Sequence, residues 1–206
     1  MAEVKLTKNE LRTQQIRLSQ LQKYLPTLQL KKAMLQADVN DVRIEILSLE
    51  ETFHEMRLIV SHSSSLLSEK VGLDFTKAAK VERIEKKYEN IAGVEVPILE
   101  SVIFASFEYS LLTTPTWLDA VVADLRKMAI ARAKVLVAEE KKAALEKELR
   151  EVSIRVNLFE KNLIPRATKN IKRIKVFLGD QELAAVAQAK VAKEKIEQRK
   201  KKKQVA

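Results

Sequence analysis

An apolar residue returns at alternating steps of three and four from Leu11 to Val60, and no other feature of this 206-residue chain constrains its fold so tightly. The positions are Leu11, Gln14, Leu18, Leu21, Leu25, Leu28, Lys32, Leu35, Val39, Val42, Ile46, Leu49, Phe53, Met56 and Val60. Thirteen of the fifteen are apolar, where the chain-wide apolar fraction of 46% would place about seven. A 3.5-residue period held this long drifts off one side of a straight 3.6-residue helix, so it predicts a left-handed supercoil with a partner helix. Fifty residues of helix reach roughly 75 Å, which predicts an elongated molecule. Gln14 and Lys32 put polar groups in the seam, which costs stability and can fix register. Pro26 removes a backbone hydrogen bond and predicts a kink or a local break.

The C-terminal third carries a matching stripe through Met128, Ala131, Val135, Ala138, Lys142, Leu145, Leu149, Val152, Val156, Phe159 and Leu163. Its helix is expected to start near Thr116, after Pro115, with Asp119 completing a Thr-x-x-Asp cap. Glu146–Arg150 and Glu151–Arg155 are four residues apart and each would add about 0.3–0.5 kcal/mol on an exposed face. Pro165 is expected to interrupt the helix, and the stripe resumes in a shifted phase at Ile164, Ala167, Ile171, Ile174 and Leu178. Gly179 is expected to be a weak point, followed by an Ala- and Lys-rich helix that frays into Lys200–Lys203.

Between the two long helices the chemistry is less regular. The run Ser61–Ser65 ends the first helix, and Leu66–Tyr88 reads as a shorter helical stretch broken at Gly72. Asp74 is expected to cap a helix through Lys87, with Glu82–Lys86 as a supporting pair. From Asn90 onward, Val94, Val96 and Ile98 alternate with Glu95 and Pro97, and Val102, Ile103, Phe104 and Phe107 follow. That predicts a strand pair or hairpin, with Pro97 confined to an edge.

The expected fold class is therefore dominated by α structure. A long antiparallel two-helix coiled coil is formed by residues 1–60 and 116–206, and residues 61–115 form a central insertion of short helix plus β-hairpin. The seam is assigned to Leu18, Leu21, Leu25, Leu28, Leu35, Val39, Val42, Ile46 and Leu49 on one helix. Leu145, Leu149, Val152, Val156, Phe159 and Leu163 face them from the other.

Composition narrows the function. Only three glycines occur, so a glycine-rich phosphate loop is excluded, and no Gly-x-x-x-x-Gly-Lys motif is present. Cysteine is absent, which removes disulfides, thiolate metal sites and a thiol nucleophile. His54 and His62 have no partner at metal-ligand spacing, and His62 beside Ser63–Ser65 reads as a serine-rich turn. No catalytic, cofactor-binding or metal-binding residue is assigned. Met1–Lys8 lacks the apolar stretch of a secretory leader, and no run approaches the roughly 20 apolar residues of a membrane span. A cytoplasmic protein, peripheral to the membrane through a partner, is the expectation.

The net charge of +10 is concentrated late in the chain. Residues 161–175 hold six basic and no acidic side chains, and residues 190–206 hold eight basic and two acidic. Lys169, Lys172, Arg173, Lys175, Arg199 and Lys200 are the expected contacts with a partner. Nucleic acid is disfavoured because Phe177 is the one aromatic available for stacking near the basic stretch.

Three segments together resemble the D-subunit family of V/A-type rotary ATPases, as a divergent bacterial member. Arg155-Val156-Asn157 followed by Ile164-Pro165 and by Ile171, Ile174 and Leu178 is similar to the family's C-terminal signature. Leu28-Gln29-Leu30-Lys31-Lys32 with Leu35 is similar to its leucine-rich, double-basic segment, and Gly93-Val94-Glu95-Val96-Pro97 to the strand of its central insertion. The chain departs from the family at Tyr24-Leu25-Pro26, where an arginine–glycine pair is common, and at Gly179-Asp180-Gln181-Glu182. The resemblance implies a non-catalytic central-stalk rotor of a proton- or sodium-translocating ATPase. Its partners would be the A and B subunits of the catalytic ring, the F subunit, and a socket subunit on the membrane rotor. Two other readings stand beside it: a coiled-coil adaptor of another machine, such as a type III export apparatus, and a nucleic-acid-binding coiled coil acting through its basic tail.

Overall fold

The computed structural model describes residues 4–63, 75–109 and 114–204, with side chains described throughout these ranges except at 75, 76 and 199–204. In chain order the elements are helix α1 (Lys8–His62), the one-turn helix α2 (Phe75–Ala78), strands β1 (Val81–Ile91) and β2 (Val94–Phe104), helix α3 (Leu118–Asn157), a π-helical segment (Leu158–Leu163) and helix α4 (Ile164–Gln204). They form two compact units, one of residues 30–153 and one of residues 1–29 with 154–206. Residues 66–74, with the expected break at Gly72 and cap at Asp74, lie outside the described residues, as do Ser64 and Ser65.

The α1 helix shows what the 3.5-residue period does. None of the fifteen frame positions from Leu11 to Val60 is exposed, and between those two residues only Lys31 and Asp38 are drawn in from solvent off the frame. The helix continues unbroken through Pro26. One missing donor in a helix of 55 residues is outweighed by the apolar stripe on either side of it.

In the unit of residues 30–153, α1 and α3 run antiparallel. Lys31 Nζ reaches Glu148 at 2.8 Å, Arg43 reaches Glu146 at 2.8 Å, and Lys141 reaches Glu45 at 3.0 Å. The Arg132 guanidinium lies over the Phe53 ring at 5.8 Å. Numbering rises on one helix as it falls on the other. Along these helices Leu35, Val39, Val42 and Ile46 of α1 are buried, as are Ala131, Val135, Ala138, Leu145 and Val152 of α3. Glu146 therefore spends its carboxylate on Arg43 of the opposite helix.

A second apolar stripe on α3 holds the hairpin. Leu118, Val122, Ala133 and Val137 are buried although they lie off the α1-facing stripe. Val137 shares a hollow with Pro97, Ile98 and Leu99, Arg126 sits over the Phe104 ring at 5.4 Å, and Lys86 reaches Glu140 at 2.5 Å. Ala78, Leu118 and Val122 form a small core with Phe107, Tyr109 and Trp117 packed against it, and Arg126 Nε donates to the Ala78 carbonyl at 3.1 Å.

The hairpin corrects the expectation of a helix to Lys87. Val81–Ile91 is a strand, paired antiparallel with β2 from Val81↔Phe104 to Ile91↔Val94. Likewise, Val94–Phe104 is one long strand rather than two short ones. Glu82, Glu85, Lys86 and Lys87 favour helix locally. They yield because β2 has a row of unpaired backbone groups, and because Val81, Ile84 and Ile91 suit a half-buried sheet face. The turn is Ala92-Gly93 with φ of 51° and 82°, the two positive values of a type I′ hairpin turn. Asn90 Oδ1 accepts the Gly93 N–H at 2.9 Å and closes it.

The α3 helix begins at Leu118, two residues later than expected, and Asp119 accepts a hydrogen bond from the Tyr109 hydroxyl. In the unit of residues 1–29 and 154–206, Leu21 on α1 and Val156, Ala167, Ile171 and Ile174 on the opposing segment are buried. Lys8 meets Glu182 at 3.5 Å on the exposed rim. Gln14 is buried in the seam but donates to Glu10 of its own helix at 2.8 Å, so it does not bridge the pair.

The phase shift at Pro165 has a structural cause. The six residues Leu158–Leu163 are π-wound, and the Ile164 N–H donates to the Phe159 carbonyl five residues back. A π turn holds one residue more than an α turn. That extra residue moves the stripe from the series ending at Leu163 to the series starting at Ile164. It also relieves Pro165 of the carbonyl its ring would strike in an α turn. Beyond it, α4 continues through Gly179, where an added Cβ would meet nothing within 4 Å, and runs on to Gln204. The helix is continuous at the expected weak point, Gly179, and spans Lys200–Lys203, the expected site of fraying, because alanine, lysine and glutamate dominate this stretch and favour helix.

Candidate functional site

Among the described residues no group of three or more His, Asp or Glu is placed to hold a metal, and no helix is long and apolar enough to cross a membrane. The features that bear on function are surfaces.

The first is the far part of α4. Every described side chain from Asp180 to Gln198 is exposed, and Leu183 and Val186 are 71% and 68% accessible. Val191 and Ile196 continue the apolar content beyond them. This stretch has the composition of a self-supporting helix, and its apolar side chains Leu183, Val186, Val191 and Ile196 are left uncovered.

The second is basic and lies nearer the π segment. Lys169, Lys172, Arg173 and Lys175 are all exposed. Lys169 and Arg173 line a hollow of about 940 Å³ with Lys161 and Arg166, whereas Lys172 and Lys175 stand outside it. A neighbouring hollow of about 420 Å³ adds Lys5 and Arg17, two cations that the sequence pattern does not single out. Arg199 and Lys200 belong to α4, and their side chains lie outside the described residues.

The assigned seam residues are inward. Leu21, Leu35, Val39, Val42, Ile46, Leu145, Val152 and Val156 are buried, and Leu18, Leu25, Leu28, Leu49, Leu149, Phe159 and Leu163 are half-buried. The second stripe of α3 is missing from that assignment. Its signal lies in Ala131, Ala133, Val135 and Val137, small apolar residues at every second position, which on a helix face two ways.

One titratable group stands out. The Tyr109 phenol is held above its ordinary value, first by its hydrogen bond to the Asp119 carboxylate, then by loss of water, then by that carboxylate's charge, with Arg126 opposing. Its hydrogen bond ties the chain ahead of α3 to the first turn of that helix.

The family model for the D subunit of ATP synthase matches residues 10–194. The D subunit of the V-type ATP synthase of Chlamydia abortus is 45% identical over 200 residues, covering 97% of this chain and 96% of that protein. The corresponding proteins of Chlamydia pneumoniae and Chlamydia trachomatis serovar L2 are each 43% identical, over 96% and 97% of this chain and 95% and 98% of theirs. A match of this length, on a chain of long helices with a central hairpin, places the protein in the D-subunit family of ATP synthases.

Proposed function

We propose that the chain is the central-stalk rotor of a V/A-type rotary ATPase. It carries torque between ATP hydrolysis or synthesis in a ring of A and B subunits and ion movement through the membrane rotor. The observation that most supports this reading is the stretch Asp180–Gln198, helical and exposed at every described position, with uncovered Leu183 and Val186. Such a helix is suited to a sleeve of other subunits, where its apolar side chains would be covered. ATP binds on the ring, and the chain itself is non-catalytic. Lys169, Lys172, Arg173 and Lys175, with Arg199 and Lys200, meet acidic faces of the ring, which steers the fit of shaft to sleeve. The hairpin end lies toward the F subunit and the socket on the membrane rotor. The protein is then cytoplasmic and held at the membrane by its complex.

The test is truncation in the reconstituted enzyme. Removal of residues 180–206 is expected to leave ATP hydrolysis by the ring measurable while abolishing ATP-driven ion transport. Full ion transport by the truncated complex would overturn the proposal.

A further inference from the structure

The two hollows beside the π segment adjoin, since Val4, Leu163, Arg166 and Asn170 line both. Four of the six π-wound residues, Leu158, Lys161, Asn162 and Leu163, form part of the wall. The widened turn spreads that wall, and Pro165 fixes where the winding returns to α.

Six cations converge here: Lys5, Arg17, Lys161, Arg166, Lys169 and Arg173. None is held in an ion pair among the described residues. Among the described lining residues the one carboxylate, Glu10, is taken up by Gln14 Nε2. Unneutralised like charges around one concavity repel, so an anion entering it gains from all of them. Val4, Leu158, Leu163 and Pro165 add apolar side chains to the lining.

Apolar side chains set among cations separate two classes of polyanion. A phosphodiester strand has no apolar side chains to place on them, and its bases stack on aromatic rings, of which there are none among the described lining residues. A polypeptide segment carrying both carboxylates and aliphatic side chains satisfies both kinds of lining residue together. The three guanidinium groups can each take a carboxylate through two parallel hydrogen bonds.

We propose that this cleft is the docking site for an acidic, amphipathic segment of a neighbouring protein in the complex, its carboxylates on Arg17, Arg166 and Arg173 and its aliphatic side chains against Val4, Leu158, Leu163 and Pro165. The inference rests on the rotor reading above for its biological setting. It adds Lys5, Arg17, Lys161 and Arg166 to the contact surface and leaves Lys172 and Lys175 outside the cleft.

The test uses the full chain and fluorescence anisotropy. One probe is a labelled synthetic helix with glutamates on one face and leucines on the other. The second is a labelled single-stranded oligonucleotide of equal charge. Arg166→Glu with Lys169→Glu and Arg173→Glu is expected to weaken peptide binding at least about tenfold. Lys80→Glu with Lys87→Glu and Lys147→Glu, the same charge change on exposed positions elsewhere, should alter it by less than about threefold. The neutral Arg166→Gln, Lys169→Gln and Arg173→Gln set serves if charge reversal lowers helix content by circular dichroism. Equal losses in the cleft and control variants overturn the proposal, as does tighter binding of the oligonucleotide than of the peptide. Copurification of the chain with A and B subunits is read in parallel. If the chain copurifies but peptide binding ignores the cleft variants, the cleft proposal falls and the rotor reading stands. If the chain never copurifies, the rotor reading falls, and the peptide comparison still decides the cleft.

Discussion

Deleting one residue from a long helix rotates everything after it by about 100° and should ruin a packing stripe, except where the helix already carries a residue too many. Leu158–Leu163 is such a place. Removing the exposed Glu160 would let that turn wind as α and bring Val156, Phe159, Ile164, Ala167, Ile171 and Ile174 into one unbroken series of three- and four-residue steps. What remains is the clash of Pro165 with the preceding turn, about 3 kcal/mol, which Pro165→Ala removes. The combined variant should then unfold within about 1 kcal/mol of the parent. Deleting the exposed Lys147 is the comparison. It turns Leu149, Val152, Val156 and Phe159 away from their seam, of which Val152 is fully buried and Val156 nearly so. At about 1.5 kcal/mol for each, the low end for burying such side chains, the loss is about 6 kcal/mol. Urea denaturation of the purified chains, followed by far-ultraviolet circular dichroism, measures both. If the Glu160 deletion with Pro165→Ala is as damaging as the Lys147 deletion, the π segment is not a one-residue phase correction.

Other positions give sharper single tests. Leu145 is fully buried, so Leu145→Ala should cost about 3 kcal/mol, whereas Leu183→Ala, at 71% exposure, should change the isolated chain's urea midpoint very little. Ala92 holds a positive φ of 51°, so Ala92→Gly should stabilise the hairpin by about 1 kcal/mol. Gly93→Ala, at φ 82°, should destabilise it by about 1–2 kcal/mol for conformational reasons, since its new Cβ would approach only Lys31 Nζ at an unforced 3.7 Å. The Tyr109 phenol has its folded value raised, so the neutral form is the one the fold favours. Its contribution is complete below the ordinary tyrosine value of 10.0 and is lost as pH rises through the higher folded value. In a chain carrying Tyr24→Phe and Tyr88→Phe, an ultraviolet absorbance titration should show Tyr109 ionising above its ordinary value, and Asp119→Asn should lower it.

Periodicity made the helical part of this fold legible, because burial along one side of a helix writes itself into spacing. The Leu11–Val60 frame and the inward face of α1 coincide position by position. The slip between Leu163 and Ile164 was visible too, although Pro165 drew the explanation toward a break when the chain had added a residue to the turn instead. Glu82–Lys87 misled for a different reason. Local helix propensity is worth only a few tenths of a kcal/mol per residue, and pairing with β2 overrides it. The basic cleft was half legible. Lys161–Arg173 stood out as a charge run, but Lys5 and Arg17 sit about 150 residues away in the chain, and only folding brings them alongside.

The segment Ala131–Ala138 answers to two neighbours at once. Ala131 lies beside Leu49, Thr52 and Met56, while Val137 lies beside Pro97, Ile98 and Leu99. Adjacent letters of the sequence are thus under separate constraints. Among relatives, changes at Ala131 and Val135 should keep step with α1, and changes at Ala133 and Val137 with the hairpin, with little traffic between the two sets. An insertion or deletion here would misalign both allegiances together, so this short stretch should tolerate substitution far better than any change in length.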